Sequence, residues 1–198
     1  MKKIIQTIAG VIGMLCIMAA GVYAEEINVG YEFSDMDYQE AVFDEQMYEG
    51  QWVDVDTHIQ LFLPLEWTTE DIEEYKESNG ELLFGASFGR NTTLSVLGED
   101  HFRKEMVEEY GHILDYEEFF SVLFQEDEEN LNELYINEHI QYIQMNGIKA
   151  VLWSDAEYGG EVLYFVSDDD IPYMFAFQAV TEEMQPVVFN IISSICFR

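Results

Sequence analysis

Gly85-Ala86-Ser87-Phe88-Gly89 spells the G-x-S-x-G pattern of a serine esterase. That chemistry needs the serine on a sharp turn between a strand and a helix, with its hydroxyl exposed and helix N-terminal amides aimed at the oxyanion. Here a strand precedes the serine, but the following Asn91-Thr92-Thr93-Leu94-Ser95-Val96-Leu97 is β-prone rather than helical. Gly85 and Gly89 are therefore assigned to a strand bend and a hairpin turn. His112 and His139 lie downstream, in the order a triad would need, without surroundings that mark either as a base.

Two further sets carry metal-ligand chemistry. His101, Glu105, Glu108 and His112 are spaced to align on one helical face, with side chains suited to zinc or iron. Gly111 ends that helix before His112, and Phe102, Met106 and Tyr110 take its buried side, so the histidine–glutamate face is the solvent face. Asp54, Asp56 and His58 share one parity of residues 52–63 and would form an exposed row on a single strand. The alternatives to a metal are a solvated strand face, or a turn at Asp56-Thr57-His58 that breaks the row. Asp168, Asp169 and Asp170 could touch Ca²⁺, but they lack the spaced oxygen ligands and central glycine of an EF-hand loop. No G-x-G-x-x-G, phosphate-cradling loop or C-x-x-C is present. Trp52, Trp67 and Trp153 could line a sugar or peptide groove, and are assigned to core packing. No catalytic, cofactor-binding or metal-ligating residue is assigned, and no cofactor is expected.

The elements that would position such residues begin with export. Lys2 and Lys3 precede an apolar run over residues 4–20, and Val22-Tyr23-Ala24 offers a cleavage site, so residues 1–24 read as a signal peptide. Residues 25–49 read as an acidic linker or N-terminal arm, and residues 50–198 as one domain. The chain holds 40 acidic against 8 basic residues, a formal charge of −32. A surface of that sign repels phosphate backbones and anionic lipid headgroups, which excludes nucleic acid and, after cleavage, the membrane. The expected location is secreted or extracytoplasmic, outside a bacterial cell. Cys16 leaves with the signal, so Cys196 has no intramolecular partner and reads as a small buried apolar residue.

Residues 134–197 organise the rest. Asn146-Gly147 marks a type I′ hairpin turn, because both central positions need φ > 0. Three more strands follow, over residues 148–155, 161–167 and 173–178. A slipped alternation between Ile140 and Met145 predicts a bulge. Val188, Ile191, Ile192 and Ile195 then recur at i, i+3, i+4 and i+7, an apolar helical stripe, with Pro186 in the first turn. Upstream, residues 52–63 alternate as one strand. Thr68 and Asp71 cap a short helix over residues 69–76, and residues 81–88 and 92–97 form a hairpin. Residues 100–110 read as a helix, and Asp115 with Glu118 caps another.

The order of these elements resembles a known family. Leu61-Phe62-Leu63-Pro64-Leu65-Glu66-Trp67 leading into a capped helix, then strands, a meander and a helix ending Ile191-Ile192-Ser193-Ser194-Ile195, is similar to the Mog/PsbP-like α/β/α sandwich over residues 50–197. The resemblance implies an α+β fold, with a central antiparallel sheet and helices on both faces. It also implies a non-catalytic binding or assembly protein, since members engage the small GTPase Ran or the lumenal side of photosystem II. The expected function is thus an exported binding or assembly module with an unidentified protein partner. The alternatives are a secreted hydrolase using Ser87 or a carboxylate pair, and an extracellular divalent-cation-binding protein.

Overall fold

A computed structural model describes residues 36–70, 82–89, 91–98, 110–112, 114–115, 117–118, 140–155, 159–167, 169 and 171–198. Eleven strands and one complete helix are found there: β1 (Gln39–Glu40), β2 (Gly50–Asp54), β3 (Ile59–Pro64), β4 (Trp67–Thr69), β5 (Leu82–Phe88), β6 (Thr92–Leu97), β7 (Ile140–Met145), β8 (Ile148–Asp155), β9 (Gly160–Val166), β10 (Pro172–Gln178), α1 (Gln185–Ser193) and β11 (Cys196–Phe197). Eight of these strands form one sheet in the order β1-β7-β8-β9-β10-β6-β5-β4, and three form a second in the order β11-β3-β2.

The meander β7 to β10 follows the sequence signals. Asn146 and Gly147 both take positive φ, 48° and 87°, as a two-residue primed turn demands. Pairing from Ile140↔Trp153 to Met145↔Ile148 runs without interruption, so the predicted bulge is absent from this pair. The alternation slips because Ile140 and Ile143, on opposite faces, are both buried. Across the strands, Leu152, Leu163, Phe175, Val96 and Phe84 align in one row on the inner face. Val151, Tyr164, Met174 and Leu97 align on the opposite face and are buried too.

The inner face is covered by α1 and by the small sheet. Met184 is the N-cap, Pro186 lies in the first turn, and Val188, Ile191, Ile192 and Ile195 are fully buried. Each such side chain contributes about 1.5–3 kcal/mol, so the stripe alone fixes the helix to the sheet. Ile59, Leu61 and Leu63 of β3 join the same core.

Several expectations are corrected. The expected α+β sandwich, an antiparallel sheet with helices on both faces, is overturned: among the described residues the protein is mostly β. Its large sheet is mixed, since β1 pairs with β7 in parallel. Residues 52–63 are not one strand but the hairpin β2–β3, turned at Asp56, whose Oδ1 accepts from the backbone N–H groups of His58 and Ile59. The helix expected from Thr69 gives way at its start to β4, paired with Phe88, Ser87 and Ala86. Trp67 decides this: in a strand its ring is buried against Phe88 and Phe177, a larger gain than a cap offers. The cap at Asp115 does form, with Glu118 N–H donating to Asp115 Oδ1 at 2.9 Å and Asp115 N–H to Glu118 Oε2 at 3.1 Å. The signal peptide, residues 71–76, residues 100–109 and the helix beyond Glu118 lie outside the described residues.

Residues 36–49 lie along the domain. Tyr38 sits edge-on to Tyr142 and under the Lys149 ammonium, and Ala41 N–H donates to Gln144 O at 2.7 Å. Asn190, buried on α1, then holds the backbone of Asp44 at both ends. Asp44 N–H donates to Asn190 Oδ1 at 2.8 Å, and Asn190 Nδ2 donates to Asp44 O at 3.0 Å. Satisfying two backbone groups with one amide fixes this segment against the last helix.

Candidate functional site

Ser87 lies within β5, paired with Thr93 on one side and Thr68 on the other. Its hydroxyl donates to Glu70 Oε1 at 2.6 Å. Strand, turn and strand succeed one another, with Gly89 at φ +63°, so no sharp strand-to-helix turn presents the hydroxyl. A carboxylate accepting that proton orients Ser87 but has no second nitrogen to relay it, and the geometry is that of a strand hydrogen bond. His112 is exposed, with Nε2 3.0 Å from Glu118 Oε2 and Nδ1 3.1 Å from Tyr110 O. The Glu118 hydrogen bond, then the Tyr110 carbonyl, raises its pKa. His101, Glu105, Glu108 and His139 lie outside the described residues.

The Asp54–Asp56–His58 row is divided among other tasks. Asp54 pairs with Arg198. Asp56 Oδ2 accepts from the Tyr173 hydroxyl at 3.0 Å, while Oδ1 closes the turn. Burial first, and then the Asp56 charge, raise the Tyr173 pKa. Among the described residues no group of three or more His, Cys, Asp or Glu is placed to hold a metal ion. Asp169 is exposed in its turn, and Asp168 and Asp170 lie outside the described residues. Cys196 is half-buried in β11 and accepts from Gln60 Nε2 at 3.2 Å.

What the structure does assemble is an apolar surface on the small sheet. The large apolar side chains left exposed among the described residues are Val42 (73%), Met47 (46%), Trp52 (44%) and Leu65 (56%). All four fall within residues 42–65. Trp52 lies edge-on to Phe43 and Phe62, with centroids 5.7 and 5.5 Å apart, and Tyr48 stacks on Phe62 at 5.8 Å. Gly50 makes room for this cluster: a Cβ there would stand 2.5 Å from Phe62 Cε1. Burial pushes the Tyr48 hydroxyl up to about 12, against the Asn190 hydrogen bond that lowers it. In the same stretch of sequence, Asp44, Glu45, Glu49, Asp54 and Glu66 are exposed.

Trp52 was assigned to the core from its type, and that assignment is corrected. Its parity carried the signal, because Trp52 falls on the side of Asp54 and Gln60, opposite Val53, Leu61 and Leu63. Trp67 and its partners are core, as expected.

No protein-family model and no curated protein matches the chain. Among solved structures, it is similar to the solution structure of cyanobacterial PsbP (CyanoP) from Synechocystis sp. PCC 6803. The TM-score is 0.45 at 11% identity, covering 78% of this chain and 95% of that one. It is also similar to a protein from Bacteroides thetaiotaomicron VPI-5482, with a TM-score of 0.38 and 8% identity over 71% of this chain and 45% of that one. The chain thus spans less than half of the Bacteroides protein. The first of these solved structures carries the PsbP name of the resemblance read from residues 50–197.

Proposed function

We propose that this chain is an exported, non-catalytic binding or assembly module that contacts its partner through the Phe43–Trp52–Phe62 surface. The observation that carries the reading is the concentration of exposed apolar side chains at Val42, Met47, Trp52 and Leu65, on a chain whose other large apolar groups are buried or partly buried among the described residues. Exposed apolar patches rimmed by polar groups mark interaction surfaces, and Trp is enriched among residues that anchor them. Exposed carboxylates at Asp44, Glu45, Glu49, Asp54 and Glu66 are interspersed with these residues in the sequence. The geometry at Ser87 supports the non-catalytic half of the reading.

Affinity capture with the immobilised chain tests it. The proteins retained are expected to be lost with a Trp52→Ser/Leu65→Ser double variant and kept with Ser87→Ala. Turnover of a simple aryl ester that disappears in Ser87→Ala would overturn the proposal in favour of a hydrolase.

A further inference from the structure

The backbone beside the patch carries a more specific message. Leu65 N–H donates to Glu49 O at 3.0 Å and Val55 N–H to Ile59 O at 2.9 Å, which fixes the phase of the β2–β3 ladder. With register Gln51↔Leu63 and Val53↔Leu61, the odd residues of β2 bond to β3. Antiparallel pairs alternate, so Gly50, Trp52 and Asp54 aim their N–H and C=O groups the other way. On β3 the matching outward groups are taken: Phe62 N–H donates to Ser194 Oγ at 2.8 Å, and β11 pairs at Gln60 and Ile59. On β2 those of Gly50, Trp52 and Asp54 have no partner among the described residues. The edge is extended, free of proline and unpaired among the described residues, so it is a template for another strand.

Charge selects the occupant. Glu49 lies next to this edge and Asp54 on it, paired with Arg198, with Asp44, Glu45 and Glu66 close by in sequence. A second copy would bring another chain of formal charge −32 against it, whereas a basic strand gains attraction. We propose that β2 is extended by a basic, apolar strand of a partner protein. That strand pairs with the backbone of Gly50, Trp52 and Asp54, sets an apolar side chain across from Trp52, and turns Lys or Arg toward the carboxylates. The proposal rests on the contact surface inferred above and adds how it is read: main-chain pairing supplies affinity, and alternate side chains supply selectivity.

The probe is a blocked peptide of about eight residues alternating Lys and Val, long enough for one strand. Added to the whole chain, it is expected to slow amide hydrogen exchange at Gly50, Trp52 and Asp54 about tenfold, while a Glu–Val peptide does nothing. Asp54→Pro and Asp54→Ala both remove the carboxylate and its Arg198 ion pair, and Asp54→Pro alone also removes one outward N–H, without touching the ladder to β3. Strand addition requires Asp54→Pro to bind the peptide about tenfold more weakly than Asp54→Ala, the cost of leaving one carbonyl unpaired. Equal binding by the two variants, without protection of the three amides, overturns strand addition and leaves the patch reading standing. Failure of the Lys–Val peptide to bind at millimolar concentration also overturns it, and the capture experiment then decides the patch separately. Protection that appears without peptide and rises with protein concentration, together with a doubled mass, assigns the edge to a second copy instead.

Discussion

In the eight-stranded sheet, β10 has a neighbour on each side and is buried on both faces from Pro172 to Phe177. In the three-stranded sheet, β2 has one neighbour, and Gln51, Trp52 and Asp54 are exposed. β10 carries three aromatic residues at alternate positions and β2 carries one, yet the aromatics of β10 have become core and Trp52 has not. The difference lies in layers. The large sheet is covered by α1 and β3 over rows such as Leu163, Phe175 and Val96. The outer face of the small sheet is covered in part by Phe43 and Tyr48, from a segment only one chain thick. Core formation uses up apolar surface in one place and leaves it available in the other.

The sharpest way to break this comparison is to remove one aromatic from each side of it. Phe175→Ala should cost about 3–5 kcal/mol in chemical denaturation, as expected for an aromatic ring deleted from a sealed core. A loss below about 1 kcal/mol would mean that β10 is not the buried centre described here. The second test concerns Glu161, buried on β9 beside Phe177, with no hydrogen-bond partner among the described residues. Burial pushes its carboxyl from the ordinary 4.5 to about 7. Between those two values the unfolded chain gives up this proton while the folded chain keeps it. This contribution to stability therefore falls as pH rises from about 4.5 to 7 and is level beyond. Glu161→Gln should remove that component and leave the variant roughly 2 kcal/mol more stable than wild type at pH 8, with little difference at pH 4. Equal stability of the two at both pH values would place Glu161 in water. The smallest effect belongs to Trp52. Trp52→Ser should change stability by less than about 1 kcal/mol, because a half-exposed ring gives up few contacts. A loss comparable to that of Phe175→Ala would make the patch part of the core and withdraw it as a contact surface.

The meander and the last helix were legible because each signal is local. A primed turn at Asn146-Gly147 and a stripe at Val188, Ile191, Ile192 and Ile195 state their conformation within a few residues. Asp115 and Glu118 were legible for the same reason. Trp67 was not, since its strand exists only because Phe88 and Phe177 stand ready to receive its ring, and these come from far along the chain. The second sheet was hidden in a different way. Residues 52–63 keep Val53, Val55, Ile59, Leu61 and Leu63 on one parity on either side of Asp56, so period alone could not distinguish one strand from two; the Asx turn at Asp56 does. The patch had a partial signature in the parity of Trp52. Its free edge had none, because whether a strand has a second neighbour depends on sheet order and not on the strand's own residues.

The Asn190–Asp44 clamp bears on when the molecule can finish folding. Its two residues are 146 positions apart, and the small sheet closes only when β11 reaches back to β3. The meander and α1 form from neighbouring residues, whereas the Asp44 segment is fixed to α1 only when the two ends of the domain meet. Contacts of such long sequence separation are slow to form, because loop closure comes before any contact free energy is gained. A chain emerging with its amino end first would therefore hold Asp44 long before Asn190 exists to fix it, and would close the small sheet only when β11 at its other end is in place.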